Sequence, residues 1–200
     1  KKANQFLFQK RFNLITADDN SVGKSTLAKL LLWTFGCEPD FDSTWKSTDC
    51  KCLVDFSIDG TNYKILRYQN FISLKEENQE ILKYTNIGGD YSKKFAELVD
   101  FKVLLPKRGS DETELVTPPP AYYFLPFYMD QKNSWSKTWN SFGKLGQFDS
   151  WQKTVIKYHL GYLSPKHFEL EQDLSDNKRQ INELNQEVEK IGYALDVVKN

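Results

Sequence analysis

The sequence predicts an α/β chain that ends in a long helical tail. Three observations carry this reading: a strand–loop–helix pattern over residues 6–35, a period of two beginning at Cys50, and apolar residues spaced four and three in turn from Leu170 to Val198. Phe6 to Lys10 and Phe12 to Ala17 read as two short strands around a tight connection. A polar loop, Asp18 to Lys24, leads into Ser25 to Phe35, where Leu27, Leu30, Leu31 and Phe35 fall at helical spacing. Gly36 stands just past that pattern, the position at which a helix closes in a left-handed turn.

From Cys50 to Ile58 the apolar side chains alternate with polar ones, and Asp59-Gly60 is a strong hairpin signal. Tyr63, Ile65 and Arg67 continue beyond it. Ile72 to Lys75 and Ile81 to Tyr84 read as a second hairpin through Glu77-Asn78, so an antiparallel meander is expected over 50–84. Tyr91 to Phe101 is expected as a short helix. Residues 107–120, with three consecutive prolines, read as a stiff linker. Tyr122 to Met129 is a continuous apolar and aromatic run and is expected as a strand buried on both faces, although Pro126 weighs against a central strand. Asp149 to Leu160 is expected as a helix that stops near Gly161.

In the tail, Leu170, Leu174, Ile181, Leu184, Val188, Ile191, Leu195 and Val198 occupy the core slots of about four heptads, and Asn177 takes the polar slot. Such a seam cannot bury itself, so 169–200 is expected to start a coiled coil.

Composition excludes several classes. The 200 residues are 40% hydrophobic and 27% charged, as in an ordinary globular protein. Twenty-seven basic residues balance twenty-seven acidic ones, which excludes a polycationic tail and confines any nucleic-acid contact to a local patch. The apolar runs are far shorter than a membrane span, and no secretory leader is expected at the start. Three cysteines, Cys37, Cys50 and Cys52, cannot make a full disulfide framework, which points to a reducing cytoplasm. No fourth ligand stands near them for zinc, so buried thiols are the ordinary account. The sole methionine is Met129, and the tail stops within a helical pattern; a fragment of a longer chain is expected.

The chemistry sits in Asp18 to Thr26, DDNSVGKST, between an expected strand and helix. A phosphate-binding loop requires that context, because successive amides and a helix N-terminus make an anion nest. Asn20, Ser21, Val22, Gly23, Lys24, Ser25 and Thr26 are the expected nucleotide-binding residues. Lys24 would reach the β- and γ-phosphates, Ser25 would sit on Mg²⁺, and Thr26 would support the α-phosphate. Asp18 stands where the usual pattern has its first glycine. Aspartate tolerates a left-handed backbone better than most residues, yet its carboxylate disfavours a triphosphate unless it points away.

This motif, the meander that follows it and the heptad tail together resemble the N-terminal half of an SMC/RecN-type ABC ATPase head. The resemblance keeps Asn20, Gly23, Lys24 and Ser25 of the family's loop and departs at Asp18, Ser21 and Val22. It implies an ABC-type P-loop NTPase lobe over 1–168, with an antiparallel β-subdomain at 50–84 and a Q-loop near 131, leading into a coiled coil. Gln131 matches the glutamine that in the family ligates Mg²⁺ and senses the γ-phosphate. Two other readings of this place stand beside it: Asp130 as a Walker-B aspartate, and a strand end with no chemistry. No signature motif, Walker B with glutamate or switch histidine is present. The resemblance puts these in a C-terminal half of the head, so no catalytic residue is expected in this stretch.

ATP and Mg²⁺ are the implied cofactors, and a second ATPase head in a homodimer is the implied partner. DNA is the implied substrate surface. The wording NSVGKSTLAKLLLWTFGCEPDF and the YHLG segment are also similar to the SMC-like subunits of Lamassu-type bacterial defence systems. That similarity would add a nuclease effector and an accessory subunit, and the sensing of foreign DNA or DNA ends. Two alternatives remain: a RecN-like repair ATPase, and a degenerate nucleotide-gated scaffold with little turnover. Residues 131–167 carry six lysines against Asp149, with Trp135, Trp139 and Trp151 among them. Lys132, Lys137, Lys144 and Lys153 are the candidate DNA contacts. A solvated loop with core tryptophans is the plainer account.

Overall fold

The computed structural model describes residues 3–20, 22–109, 114–132, 134 and 139–199. Four antiparallel strands in the order β1-β2-β3-β4 form its sheet: β1 (Lys51–Ile58), β2 (Thr61–Tyr68), β3 (Phe71–Glu76) and β4 (Ile81–Tyr84). The expected meander is therefore present. Asp59 and Gly60 both have positive φ, 49° and 86°, which is the backbone of a type I′ hairpin. Along β1 the even-numbered residues Cys52, Val54, Phe56 and Ile58 are half-buried and their neighbours exposed. Ile65, Ile72 and Leu74 continue the inner face, and Tyr91 and Phe95 of α2 (Asp90–Leu98) complete its apolar cluster.

Helix α1 (Lys24–Thr34) packs against β1 and β2. Gly36 ends it with φ +97°, and a Cβ there would lie 2.8 Å from the Tyr91 ring. Arg67 fastens helix to sheet. Only 1% exposed, it donates to the carbonyls of Trp33 and Cys37 at the end of α1, to the Gln69 carbonyl at 2.9 Å, and to Glu38 at 2.5 Å. A cation at a helix C-terminus also complements the helix dipole. Burial lowers the guanidinium pKa, and the Glu38 carboxylate opposes that shift.

A second core gathers Phe101, Val103, Leu105, Tyr122, Leu125, Phe148, Trp151 and Val155. It is covered by α4 (Trp151–His159) and by the root of α5 (Pro165–Lys199), where Phe168 is buried. The proline-rich stretch is less of a free linker than composition implies. Leu105–Pro106 (β5) pairs with Leu115–Val116 (β6), and Pro118 and Pro120 are fully buried.

Three expected strands are replaced by other structure. Tyr122 to Met129 is not a strand: α3 (Ala121–Phe124) runs into a 3₁₀ turn, Leu125–Phe127. The carbonyls of Pro119 and Pro120 accept the first amide hydrogen bonds, from Tyr122 and from Tyr123 and Phe124. Prolines with fixed φ pre-organise a helical start, and an apolar run of this length does not by itself separate strand from helix. Nor are Phe6 to Lys10 and Phe12 to Ala17 strands. A bend at Lys10-Arg11 is present, and Gln9 and Asn13 bond across it at 2.7 and 2.8 Å. The two arms form no ladder, and Phe6, Leu7, Phe12 and Leu14 are more than half exposed. A two-stranded ribbon is marginal without a sheet or helix to cover it.

The tail is one helix of 35 residues, about 50 Å long. Leu170, Leu174, Ile181, Leu184, Val188, Ile191 and Leu195 are each 50–67% exposed, so the heptad seam faces solvent in this chain. Among the described residues no helix is long and apolar enough to cross a membrane.

Candidate functional site

Gly23 precedes α1 in a left-handed conformation, φ 95°, and a Cβ there would meet nothing within 4 Å. Backbone conformation, rather than space, is what calls for glycine here. The helix begins with the amide of Leu27 bonded to the Gly23 carbonyl at 2.9 Å. No side chain caps this end. The amides of its first turn thus face outward together with the positive end of the helix dipole, which suits an anion. Lys24 curls back so that its ammonium donates to the Asp19 carbonyl at 2.9 Å, across the mouth of the loop. Asp18, Asp19, Asn20 and Val22 are exposed. Asp18 is not in the left-handed region, so the backbone freedom expected of it is unused. Ser21 lies outside the described residues.

A cleft of about 280 Å³ lies beside this turn, with Ser25, Ala28 and Lys29 on one wall and residues 128–132 on the other. The two expected metal-binding residues, Ser25 and Gln131, line the same cleft. A hydroxyl and a carboxamide supply hard oxygen donors that fit Mg²⁺, a cation that keeps most of its waters and needs few protein ligands. Beside them the outward amides of α1 and the Lys24 ammonium fit a polyphosphate.

Asp130 does not have a Walker-B setting, because the run before it is helical and no strand delivers it. It is instead 3% exposed and ion-paired with Lys29 at 3.3 Å. Its other oxygen accepts from the Lys132 amide at 3.1 Å, and its own amide donates to Ser134 Oγ at 2.8 Å. The Tyr128 hydroxyl donates to it at 3.3 Å; burial, and then the nearby Asp130 charge, push the Tyr128 pKa up. Lys29 also donates to the Asp40 carbonyl at 2.5 Å, and Asp40 accepts from Lys132 at 2.9 Å. The Asp40 hydrogen bond raises the Lys132 pKa. Sequence reading missed Lys29 and Asp40. Lys29 had a signal, since it lies one turn after Ser25 and so shares its helix face; Asp40 had none.

The candidate DNA-contacting lysines are placed unevenly. Lys132, exposed, is committed to Asp40, while Lys144 and Lys153 are exposed. Lys137 and Trp135 lie outside the described residues. Trp151 is a core residue, 6% exposed, and the Trp139 ring stands 5.9 Å from that of His159. Trp151 therefore offers no open stacking surface, and Trp139 is half-buried. Arg67, which the sequence left without a role, is the clamp described above.

No family model matches the chain, and no solved structure matches it. Among curated proteins it is 29% identical over 164 residues to the Lamassu protein LmuB of Bacillus cereus (strain VD014), a match that takes in 82% of this chain and 28% of that protein. It is 27% identical over 136 residues to the Lamassu protein LmuB of Bacillus sp. (strain NCIM 5461 / CCTCC AB 2011126 / NIO-1130), over 68% of this chain and 23% of that one. The chain is thus homologous to these proteins over most of its length, and the matches span about a quarter of theirs.

Proposed function

We propose that this chain is a nucleotide-binding lobe of an SMC-like ABC ATPase head that works in a Lamassu-type anti-phage defence system. The observation that carries the nucleotide reading is the meeting of Ser25 and Gln131, remote in sequence, in one cleft at the uncapped start of α1. Likeness to two Lamassu proteins supports defence over RecN-like repair. The 35-residue helix with its solvent-facing heptad seam supports the coiled-coil arm.

In this reading the α1 amides and Lys24 hold the phosphates, while Ser25 and Gln131 hold Mg²⁺. The metal neutralises phosphate charge when bound. Hydrolysis would take its base and signature motif from elsewhere in the ATPase, with a second head completing the site. DNA, a nuclease effector and an accessory subunit are partners of the proposed whole. Asp18 in place of a glycine favours one second reading, a nucleotide-gated scaffold with slow turnover.

The test is uptake of a fluorescent ATP analogue by the full-length protein with and without Mg²⁺. Lys24→Ala is expected to weaken it at least about tenfold, or 1.4 kcal/mol. Wild-type protein that takes up no triphosphate would overturn the nucleotide reading. Binding without turnover, with or without DNA, would select the scaffold.

A further inference from the structure

We propose that Asp130 is a positioning residue that fixes Gln131 opposite Ser25, held to α1 by Lys29, and that this brace sets the Mg²⁺ affinity of the cleft. The inference rests on the nucleotide reading above.

Gln131 sits between two anchored neighbours. Asp130 is buried, and its carboxylate reaches over Gln131 to accept the Lys132 amide at 3.1 Å, which is an Asx turn. The same carboxylate meets Lys29 at 3.3 Å, one helical turn beyond Ser25. Lys29 in turn holds the Asp40 carbonyl at 2.5 Å, and the Asp40 side chain holds Lys132 at 2.9 Å. The far end of the loop is fastened to the same segment. The Gly143 amide donates to the Glu38 carbonyl at 2.7 Å, and Pro39 pairs with Phe142.

Both ends of the segment that carries Gln131 are therefore tied to α1 or to the chain leaving it. Separation of Gln131 from Ser25 must break a partly buried ion pair. Groups that orient a metal ligand in this way commonly govern affinity by about ten- to a hundredfold.

The substitutions separate turn from brace. Asp130→Asn keeps an oxygen for the Lys132 amide but removes the charge that Lys29 meets. Lys29→Gln removes the opposite charge, and Lys29→Arg keeps it. In the full-length protein, Asp130→Asn and Lys29→Gln are each expected to raise the Mg²⁺ concentration for half-maximal ATP-analogue binding about tenfold. Binding in EDTA, which the α1 amides and Lys24 carry, should stay unchanged. Lys29→Arg should bind Mg²⁺ as wild type does. The double variant should be no worse than either single one, as coupled partners require. Without nucleotide, backbone amides over 128–132 should exchange hydrogen faster in both single variants.

A Mg²⁺ midpoint unchanged in Lys29→Gln and Asp130→Asn overturns the proposal, and so does an equal loss of binding in EDTA, which would mean general loosening. If Asp130→Asn does not fold, the Lys29→Gln and Lys29→Arg pair decides alone. These results presuppose wild-type uptake of the analogue. Its absence removes the nucleotide reading and the brace together, whereas uptake with an unmoved Mg²⁺ midpoint removes the brace only.

Discussion

Arg67→Met tests whether one side chain ties the sheet to α1. The guanidinium is 1% exposed and has four partners: the carbonyls of Trp33, Cys37 and Gln69, and Glu38. It also stacks over the Trp33 ring at 4.4 Å. Methionine fills similar volume but donates nothing. Glu38 is 32% exposed at its side chain and Gln69 is exposed, so water can serve both. The carbonyls of Trp33 and Cys37 are in the interior, but that of Trp33 keeps the Gly36 amide at 2.9 Å. The Cys37 carbonyl left unpaired costs about 1–3 kcal/mol, and the lost second bond to Trp33 and the lost ring stacking add to that, offset in part because a buried cation no longer needs to be desolvated. The net loss should be about 2 kcal/mol, which at this chain length lowers Tm by about 4–8 °C. Urea unfolding followed by tryptophan fluorescence would measure it. Glu38→Gln should lose about 1 kcal/mol or less, since a partly solvated ion pair adds little. Arg67→Lys should fall between, because an ammonium cannot fork to several carbonyls. A loss below about 1 kcal/mol in Arg67→Met, or a loss matched by Glu38→Gln, would refute the account.

Burial lowers the pKa of His159, whose ring packs between the Phe101 and Tyr158 rings and whose Nε2 lies 3.2 Å from the Tyr122 carbonyl. The unfolded chain then binds a proton near pH 6.5 that the folded chain still refuses, so stability should fall as pH drops through that range and His159→Phe should flatten the fall. Urea midpoints at pH 7.5 and 5.5 would show this. Gly36→Ala should cost about 1–3 kcal/mol from left-handed strain alone, and more from the 2.8 Å approach to Tyr91, measured in the same unfolding assay. Ile181→Asp with Leu184→Asp should leave the unfolding of the sheet-bearing lobe unchanged within about 0.5 kcal/mol, because both side chains are more than half exposed, yet should weaken helix association in sedimentation experiments.

The parts that were legible in the sequence have local causes. The meander follows from period-two alternation and from Asp59-Gly60, whose positive φ values leave few alternatives to a tight hairpin. Helix α1 appears within one residue of its expected start because Gly23 and the leucine spacing agree. The parts that were not legible have remote causes. Whether Tyr122 to Met129 becomes strand or helix depends on a neighbouring ladder, and among the described residues none pairs with it. Phe6 to Ala17 alternates well enough to be a strand, but a pattern supplies no partner.

The cleft divides in the same way. Lys24 and Ser25 announce themselves through a motif, and Gln131 through its place after an apolar run. That run is helical rather than extended, yet Gln131 still arrives beside Ser25. Its delivery therefore does not come from a strand end. It comes from Asp130, the one acidic side chain among the described residues that is more than nine-tenths buried, which meets a lysine one turn along α1. A buried carboxylate without a cation would be costly, so the Lys29 charge and the Asp130 fold each require the other. Substituting either alone should disturb the segment carrying Gln131 more than substituting Gln131 itself, whose side chain is exposed. Amide exchange over 128–132 in Gln131→Ala, set beside that in Lys29→Gln, would reveal the difference. Equal exchange in the two would mean that Gln131 holds its own loop.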